Sequence, residues 1–257
     1  MIAIVLAGGY GTRLQGFLGD GPKALLRVAG RPIVDYTFER LGEIQEIEHV
    51  IISTNLRFQQ HFRKWLESSP RMQSEIIADD SFSEEEKPGA IASLARMISK
   101  IDSSCLVIAG DNLFTSSLKP MLRAFKDTSS TLVALYDVKD RELAKQYSTV
   151  TLDARGRILD FREKPAEPDT SLTGTGIYLF PKRALDRTKT YLIEAADRDN
   201  LGRYIGWLCK QEPVYGHILG GHWWDIGTID QYNEANQTMQ ELAIQPNSMS
   251  TDYIKHY

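Results

Sequence analysis

The sequence predicts an α/β protein whose central sheet is mixed but mostly parallel, with helices on both faces. Three observations lead there. Short β-branched runs alternate with helical patterns through the first half, the signature of successive βαβ units. The runs themselves, such as Ile2 to Leu6 and Cys105 to Ala109, are apolar without alternation, as strands covered on both faces must be. From Thr131 onward that rhythm gives way to longer strands with turn signals, so part of the sheet is antiparallel.

Met1 to Leu6 forms the first strand. Arg31-Pro32 opens a helix on which Ile33, Val34, Phe38, Leu41 and Ile44 share a face, and proline is tolerated there because the first turn leaves its N–H groups unpaired anyway. His49 to Ser53 is a buried strand. Phe58, Phe62, Trp65 and Leu66 mark a second amphipathic helix, Ser74 to Ala78 a short strand, Ala90 to Ile101 a third helix and Cys105 to Ala109 the next strand. Thr149 to Leu152 and Arg157 to Phe161 flank Asp153-Ala-Arg-Gly156 as the arms of a hairpin. Thr175 to Phe180 reads as a strand, Leu201 to Lys210 as a helix, Val214 to Leu219 as a strand and Thr228 to Leu242 as a closing helix.

The 257 residues are expected to form one domain over 1–244, with a flexible polar tail at 245–257. A chain of this size buries roughly 70 to 75% of its unfolded surface, so it needs no covalent staple. Cys105 and Cys209 form no C-x-x-C pair and sit in apolar contexts, so they read as reduced thiols of a cytoplasmic protein. No apolar run approaches the ~20 residues of a membrane span, and Ile2 to Ala7 has no basic residue before it, so neither anchor nor signal peptide is expected. A net charge of -4 gives no general reason to bind nucleic acid. Any anion must be held by a few placed groups.

The segment Leu6-Ala-Gly-Gly-Tyr-Gly-Thr-Arg-Leu14 puts three glycines directly after a strand, where a backbone can approach an anion and its N–H groups can cradle phosphates. A dinucleotide fingerprint would need a glycine where Leu14 stands, and a Walker loop over Gly16 to Gly21 fails on Pro22. Glycines after a strand also fit an ordinary turn, but two cations, Arg13 and Lys23, follow this one. Asp111 emerges at the carboxyl end of Leu106-Val-Ile-Ala109, where open α/β sheets place ligands. On the residues alone, Asp111 also fits a turn and Asp225, before Gly-Thr, a helix cap.

Together these residues resemble the sugar-1-phosphate nucleotidylyltransferases. The glycine segment is followed by Pro22-Lys23-Ala-Leu-Leu, Gly30-Arg-Pro-Ile33, Gly89-Ala-Ile, Ala109-Gly-Asp-Asn112, Glu163-Lys-Pro165, Gly174-Thr-Gly-Ile-Tyr178 and Trp224-Asp-Ile-Gly-Thr228, in the family's order and along nearly the whole chain. The resemblance implies a Rossmann-like nucleotide-diphospho-sugar transferase fold in which a sugar-phosphate oxygen attacks the α-phosphorus of a nucleoside triphosphate and displaces pyrophosphate. Leu6, Ala7, Gly8, Gly9, Gly11, Thr12, Gly89 and Asp111 would then bind the nucleotide, with Arg13 and Lys23 catalytic. Asn112, Glu163, Lys164 and Gly174 would bind the sugar phosphate, and Asp111 with Asp225 would share Mg²⁺, the one cofactor implied. Tyr178, alternating in a strand, is set aside as core.

The chain departs from the pattern at two places. Glu84 stands where relatives that use thymidine or uridine triphosphate often carry a glutamine, and a carboxylate cannot supply the amide's donor. Ser148 replaces a glycine that often contacts the sugar after a tyrosine, here Tyr147. Nucleotide and sugar are therefore left open, as is a homo-oligomer, and no repeat suggests a second activity. A non-catalytic nucleotide-sugar binder, a cytidylyltransferase for a phosphate such as phosphocholine, and a glycosyltransferase remain as rivals. The last would use Asp197-Arg-Asp199, which follows Glu194-Ala-Ala rather than a strand end. The five histidines are scattered without zinc-ligand spacing.

Overall fold

The computed structural model describes residues 1–68, 72–195 and 198–244. The chain starts with β1 (Ile2–Leu6), a 3-10 turn over Thr12–Leu14, the single-turn α1 (Gln15–Leu18) and a small hairpin of β2 (Arg27–Val28) and β3 (Arg31–Pro32). Three crossovers follow: α2 (Ile33–Gly42) to β4 (His49–Asn55), α3 (Leu56–Glu67) to β5 (Ser74–Asp79), and α4 (Ala90–Met97) to β6 (Cys105–Ala109). β1 lies between β4 and β6, parallel to both, and β5 adds parallel to β4. The third helix stops four residues short of the expected Ile101, because Ile98–Lys100 tightens into a 3-10 turn.

The second half opens with β7 (Asn112–Phe114), α5 (Lys119–Thr128), β8 (Thr131–Asp137) and the one-turn α6 (Arg141–Ala144). The hairpin β9 (Ser148–Leu152) and β10 (Ile158–Glu163) is as expected. β11 (Leu172–Phe180) starts three residues earlier than the sequence suggests and runs antiparallel to both β6 and β8. A register shift between Gly174 and Tyr178, with Gly176 at a φ of 79°, lets β11 pair with β6 at one end and touch β9 at the other. After α7 (Lys182–Glu194) and α8 (Leu201–Leu208), β12 (Val214–Ile218) pairs with β8, β13 (Trp223–Asp225) pairs antiparallel with β7, and α9 (Ile229–Ile244) closes the described chain.

Both faces of the sheet are apolar, as unalternating strands require. Ala3, Val5, Val50 and Ile52 turn toward Phe38, Phe58, Phe62 and Trp65 of α2 and α3, while Ile4, Ile51 and Val107 face Ile91, Leu94, Leu185 and Tyr204 of α4, α7 and α8. Each fully buried side chain of this size contributes about 1.5 to 3 kcal/mol. Cys105 and Cys209 are free thiols. No helix among the described residues is long and apolar enough to cross a membrane.

Candidate active site

The carboxyl ends of the parallel strands open into two adjoining cavities. The loop after β1 forms part of the wall between them, and β4 holds it in place. Asn55 accepts the Phe58 N–H at 3.0 Å as the cap of α3, and its Nδ2 donates to the Gly8 carbonyl at 3.0 Å. Thr54 donates to the Ala7 carbonyl at 3.3 Å, which leaves Ala7 buried beneath the loop and outside the cavity lining. Gly11 adopts a φ of 60°, the left-handed region that a side chain disfavours, and its carbonyl accepts the Leu14 N–H at 2.8 Å to start the turn that carries Arg13.

A three-residue ribbon brings the two acidic residues together. β13 pairs with β7 so that Asp225 stands opposite Asn112, the neighbour of Asp111, and the Ile226 N–H donates to the Asp111 carbonyl at 3.2 Å. Lys23 reaches between them, its Nζ 2.7 Å from Asp111 Oδ2 and 3.8 Å from Asp225 Oδ1. Burial opposes ionisation of Asp111, but the Lys23 ammonium more than offsets it and holds this carboxyl below the ordinary range. Asp225 goes the other way, pushed up to about 6 by burial and the neighbouring Asp111 charge, with Lys23, Lys164 and Arg13 only partly relieving it. Two converging carboxylates that repel each other fit a hard divalent ion, which takes oxygen ligands and completes its shell with phosphates and water. Among the described residues, no third histidine, cysteine or carboxylate joins them.

Across the first cavity stand Glu163 and Lys164, at and just past the end of β10. Glu163 accepts from the Ser148 hydroxyl and, at 2.7 Å, from Asn200 Nδ2. Lys164 has a φ of 44°, and its N–H donates to the Tyr147 carbonyl at 3.1 Å. Gly174 lies against Phe161, whose Cζ would be 3.1 Å from an added Cβ. Gly89 starts α4 at a φ of 91°, where an added Cβ would meet the Arg198 carbonyl at 2.5 Å.

The first cavity, about 400 Å³, is lined by Leu6, Gly8, Gly9, Gly89, Asn112, Glu163, Lys164 and Gly174 among the expected residues. The second, about 420 Å³, is lined by Gly11, Thr12, Arg13 and Lys23, and both share Gly9, Asp111, Tyr147, Lys164 and Asp225. Asn112 is buried, accepting from Trp223 Nε1 at 2.5 Å and donating to Asp111 at 3.3 Å. Tyr178 is buried on Phe180 yet borders the first cavity. Sequence reasoning missed Ser53, Thr54, Trp223 and Gln231, which reach the walls only through tertiary pairing. Glu84 borders the second cavity and pairs with Lys87, which borders the first and lies 2.8 Å from Asp199. Asp199 also accepts the Ala90 N–H at 3.0 Å, so it braces α4, while Asp197 lies outside the described residues.

A family model described as Nucleotidyl transferase matches residues 2–241. The chain belongs to the nucleotidyl transferase family. Membership makes it an enzyme of that kind, and solved structures share its fold. One, assigned as a glucose-1-phosphate thymidylyltransferase from Bacillus anthracis in complex with sucrose, superposes with a TM-score of 0.81 at 23% identity, covering 94% of this chain and 96% of that one. A UDP-glucose pyrophosphorylase complexed with UDP-glucose gives 0.79 at 20% identity, covering 94% of this chain and 98% of the other. The Rossmann-like architecture expected from the motifs is therefore the family's fold.

Proposed function

We propose that this nucleotidyl transferase joins a nucleoside triphosphate to a sugar-1-phosphate. An oxygen of the acceptor phosphate bonds to the α-phosphorus, the bond from that phosphorus to the bridging oxygen breaks, and pyrophosphate leaves with the electron pair, giving a nucleoside-diphosphate sugar. The observation that carries this reading is Lys23 held between Asp111 and Asp225 where the two cavities meet. Four phosphates converging on one point repel each other, so catalysis here is charge handling and alignment rather than proton transfer.

Each end of the site supplies part of that. The Gly8 to Gly11 backbone and Arg13 receive the triphosphate, with the planar guanidinium suited to the charge building on the leaving pyrophosphate. Lys164 receives the acceptor phosphate, and Glu163, held by Ser148 and Asn200, accepts from sugar hydroxyls. Asp111 and Asp225 would hold Mg²⁺, which supplies Lewis-acid neutralisation of phosphate charge when bound.

A panel of four nucleoside triphosphates against glucose-1-phosphate, mannose-1-phosphate and phosphocholine, with Mg²⁺, tests the reading by pyrophosphate release. The names of the fold neighbours make glucose-1-phosphate with thymidine or uridine triphosphate the first pairs to try. Release that requires a sugar-1-phosphate is the expected result. Turnover with phosphocholine alone would move the acceptor to the alcohol phosphates, and nucleotide binding without release in any pairing would make the protein a binder.

A further inference from the structure

Gln231 lines the second cavity and hydrogen-bonds Tyr147, which borders both, without belonging to any segment that carries the site's charge. It lies in the first turn of α9, where with Thr228 it completes a capping box, its own N–H donating to the Thr228 hydroxyl at 3.3 Å. Its Oε1 accepts the Gly227 N–H at 2.9 Å and the Thr228 hydroxyl at 3.2 Å, while its Nε2 donates to the Tyr147 hydroxyl oxygen at 2.8 Å. These partners fix which way the amide faces. Turned over, it would set an NH₂ group against the Gly227 N–H, donor against donor. Tyr147 therefore receives a hydrogen bond from Gln231 and keeps its own hydrogen for a different acceptor.

The same amide braces the turn that presents Asp225. Gly227 lies two residues beyond Asp225, and its N–H also reaches the Asp225 carbonyl at 2.8 Å. Tyr147 borders both cavities, and its ring meets Trp223 nearly edge-on at 5.2 Å, so what remains free is chiefly the direction of the O–H bond.

Resting on the transferase reading above, we infer that Gln231 is a positioning residue. It holds the Asp225 turn and the Tyr147 hydroxyl in one register, so that the Tyr147 O–H is offered as a donor to a substrate phosphate oxygen between the two cavities. A purely structural glutamine would support the turn and leave the direction of that hydrogen unconstrained.

A double-mutant cycle on the full chain, read by pyrophosphate release, separates the two. Gln231→Leu and Tyr147→Phe should each lower kcat/KM about tenfold, and the double variant should lose no more than the worse single one, because the second change removes a donor already misdirected. Gln231→Glu keeps an acceptor for Gly227 and Thr228 but, ionised, has no donor for Tyr147, so it should behave as Gln231→Leu does. Being isosteric, it also carries the cycle if the leucine variant fails to fold. Gln237→Leu, on an exposed position of the same helix, should leave the kinetics unchanged. Additive losses, or a Gln231→Leu enzyme with wild-type kinetics and only a lower Tm, overturn the positioning role and leave the transferase reading standing. Wild-type protein that releases no pyrophosphate across the panel overturns both.

Discussion

Replacing Lys23 by methionine keeps most of the side-chain volume and removes the charge that separates Asp111 from Asp225. A unit pair about 4 Å apart is worth roughly 4 kcal/mol at an effective dielectric of about 20. The lysine side chain is 13% exposed, but the carboxylates are 33% and 38% exposed, so solvent screens part of that attraction. Breaking the cluster should therefore cost the unliganded protein about 2 kcal/mol, between the values for surface and buried pairs. For a chain of this length that is a Tm lower by roughly 4 to 8 °C. With the ammonium gone the two carboxylates repel more strongly, so added Mg²⁺ should raise the Tm of Lys23→Met by more than it raises that of the wild type. Turnover should suffer separately: losing one charge-assisted contact to the reacting phosphates costs on the order of 3 kcal/mol, about a hundredfold in both kcat and kcat/KM. Steady-state kinetics at saturating Mg²⁺, with thermal melts in Mg²⁺ and in chelator, read both effects. Arg27→Ala is the control, since Arg27 donates to the Gly30 carbonyl at 2.6 Å and lines neither cavity. A Lys23→Met enzyme with raised KM and intact kcat would refute the catalytic role, and an unchanged Mg²⁺ response would refute the shared carboxylate site.

Asp225 has a folded-state pKa of about 6 against an ordinary 3.8, so its contribution to stability is present below about pH 4 and lost as pH rises through about 6. In chelator, Asp225→Asn should flatten that part of the Tm–pH profile and melt higher than wild type at pH 7, while losing most activity with Mg²⁺; a lower melt at pH 7 would contradict the burial and repulsion assigned to this group. Gly11→Val forces a branched side chain onto a φ of 60° and should abolish triphosphate binding by calorimetry, with unchanged affinity counting against the phosphate loop. Gly202→Ala places a Cβ 2.5 Å from Glu163 Oε2 and 2.6 Å from Ser148 Oγ, so it should raise KM for the sugar phosphate at least tenfold and leave the nucleotide KM nearly unchanged. Equal effects on both would show that Glu163 does not serve the sugar alone.

Much of the site was legible because strand ends deliver it. Gly8 to Gly11 and Asp111 follow apolar strands directly, and a parallel sheet brings its carboxyl ends to one edge wherever the crossovers run. Besides the single-turn α1 and α6, two longer helices were missed for a different reason. In α5 the apolar Met121, Leu122 and Phe125 follow Pro120, and in α7 Ala184, Leu185 and Tyr191 share a face, so a signal was present in both but stood among charged residues that blurred it. The β7–β13 ribbon is illegible in principle. Three residues carry no period, yet this pairing sets Asp225 beside Asn112 across more than a hundred residues of chain.

On the proposed reading, that difference divides the labour of the site. The parts readable from sequence are those whose chemistry depends on local backbone shape: a glycine loop, a strand end, and the Lys164 turn at a φ of 44°. The parts that set distances between charges are long-range. Lys23 meets Asp111 across 88 residues, Tyr147 meets Gln231 across 84 and Trp223 meets Asn112 across 111. Electrostatic preorganisation requires the second kind, because donors and charges must already stand where charge will develop, and only elements fixed by the packed core can keep them there without reorganising. Substitutions in the loop should therefore act chiefly on binding, whereas those at the long-range contacts should act on the rate of the bound complex.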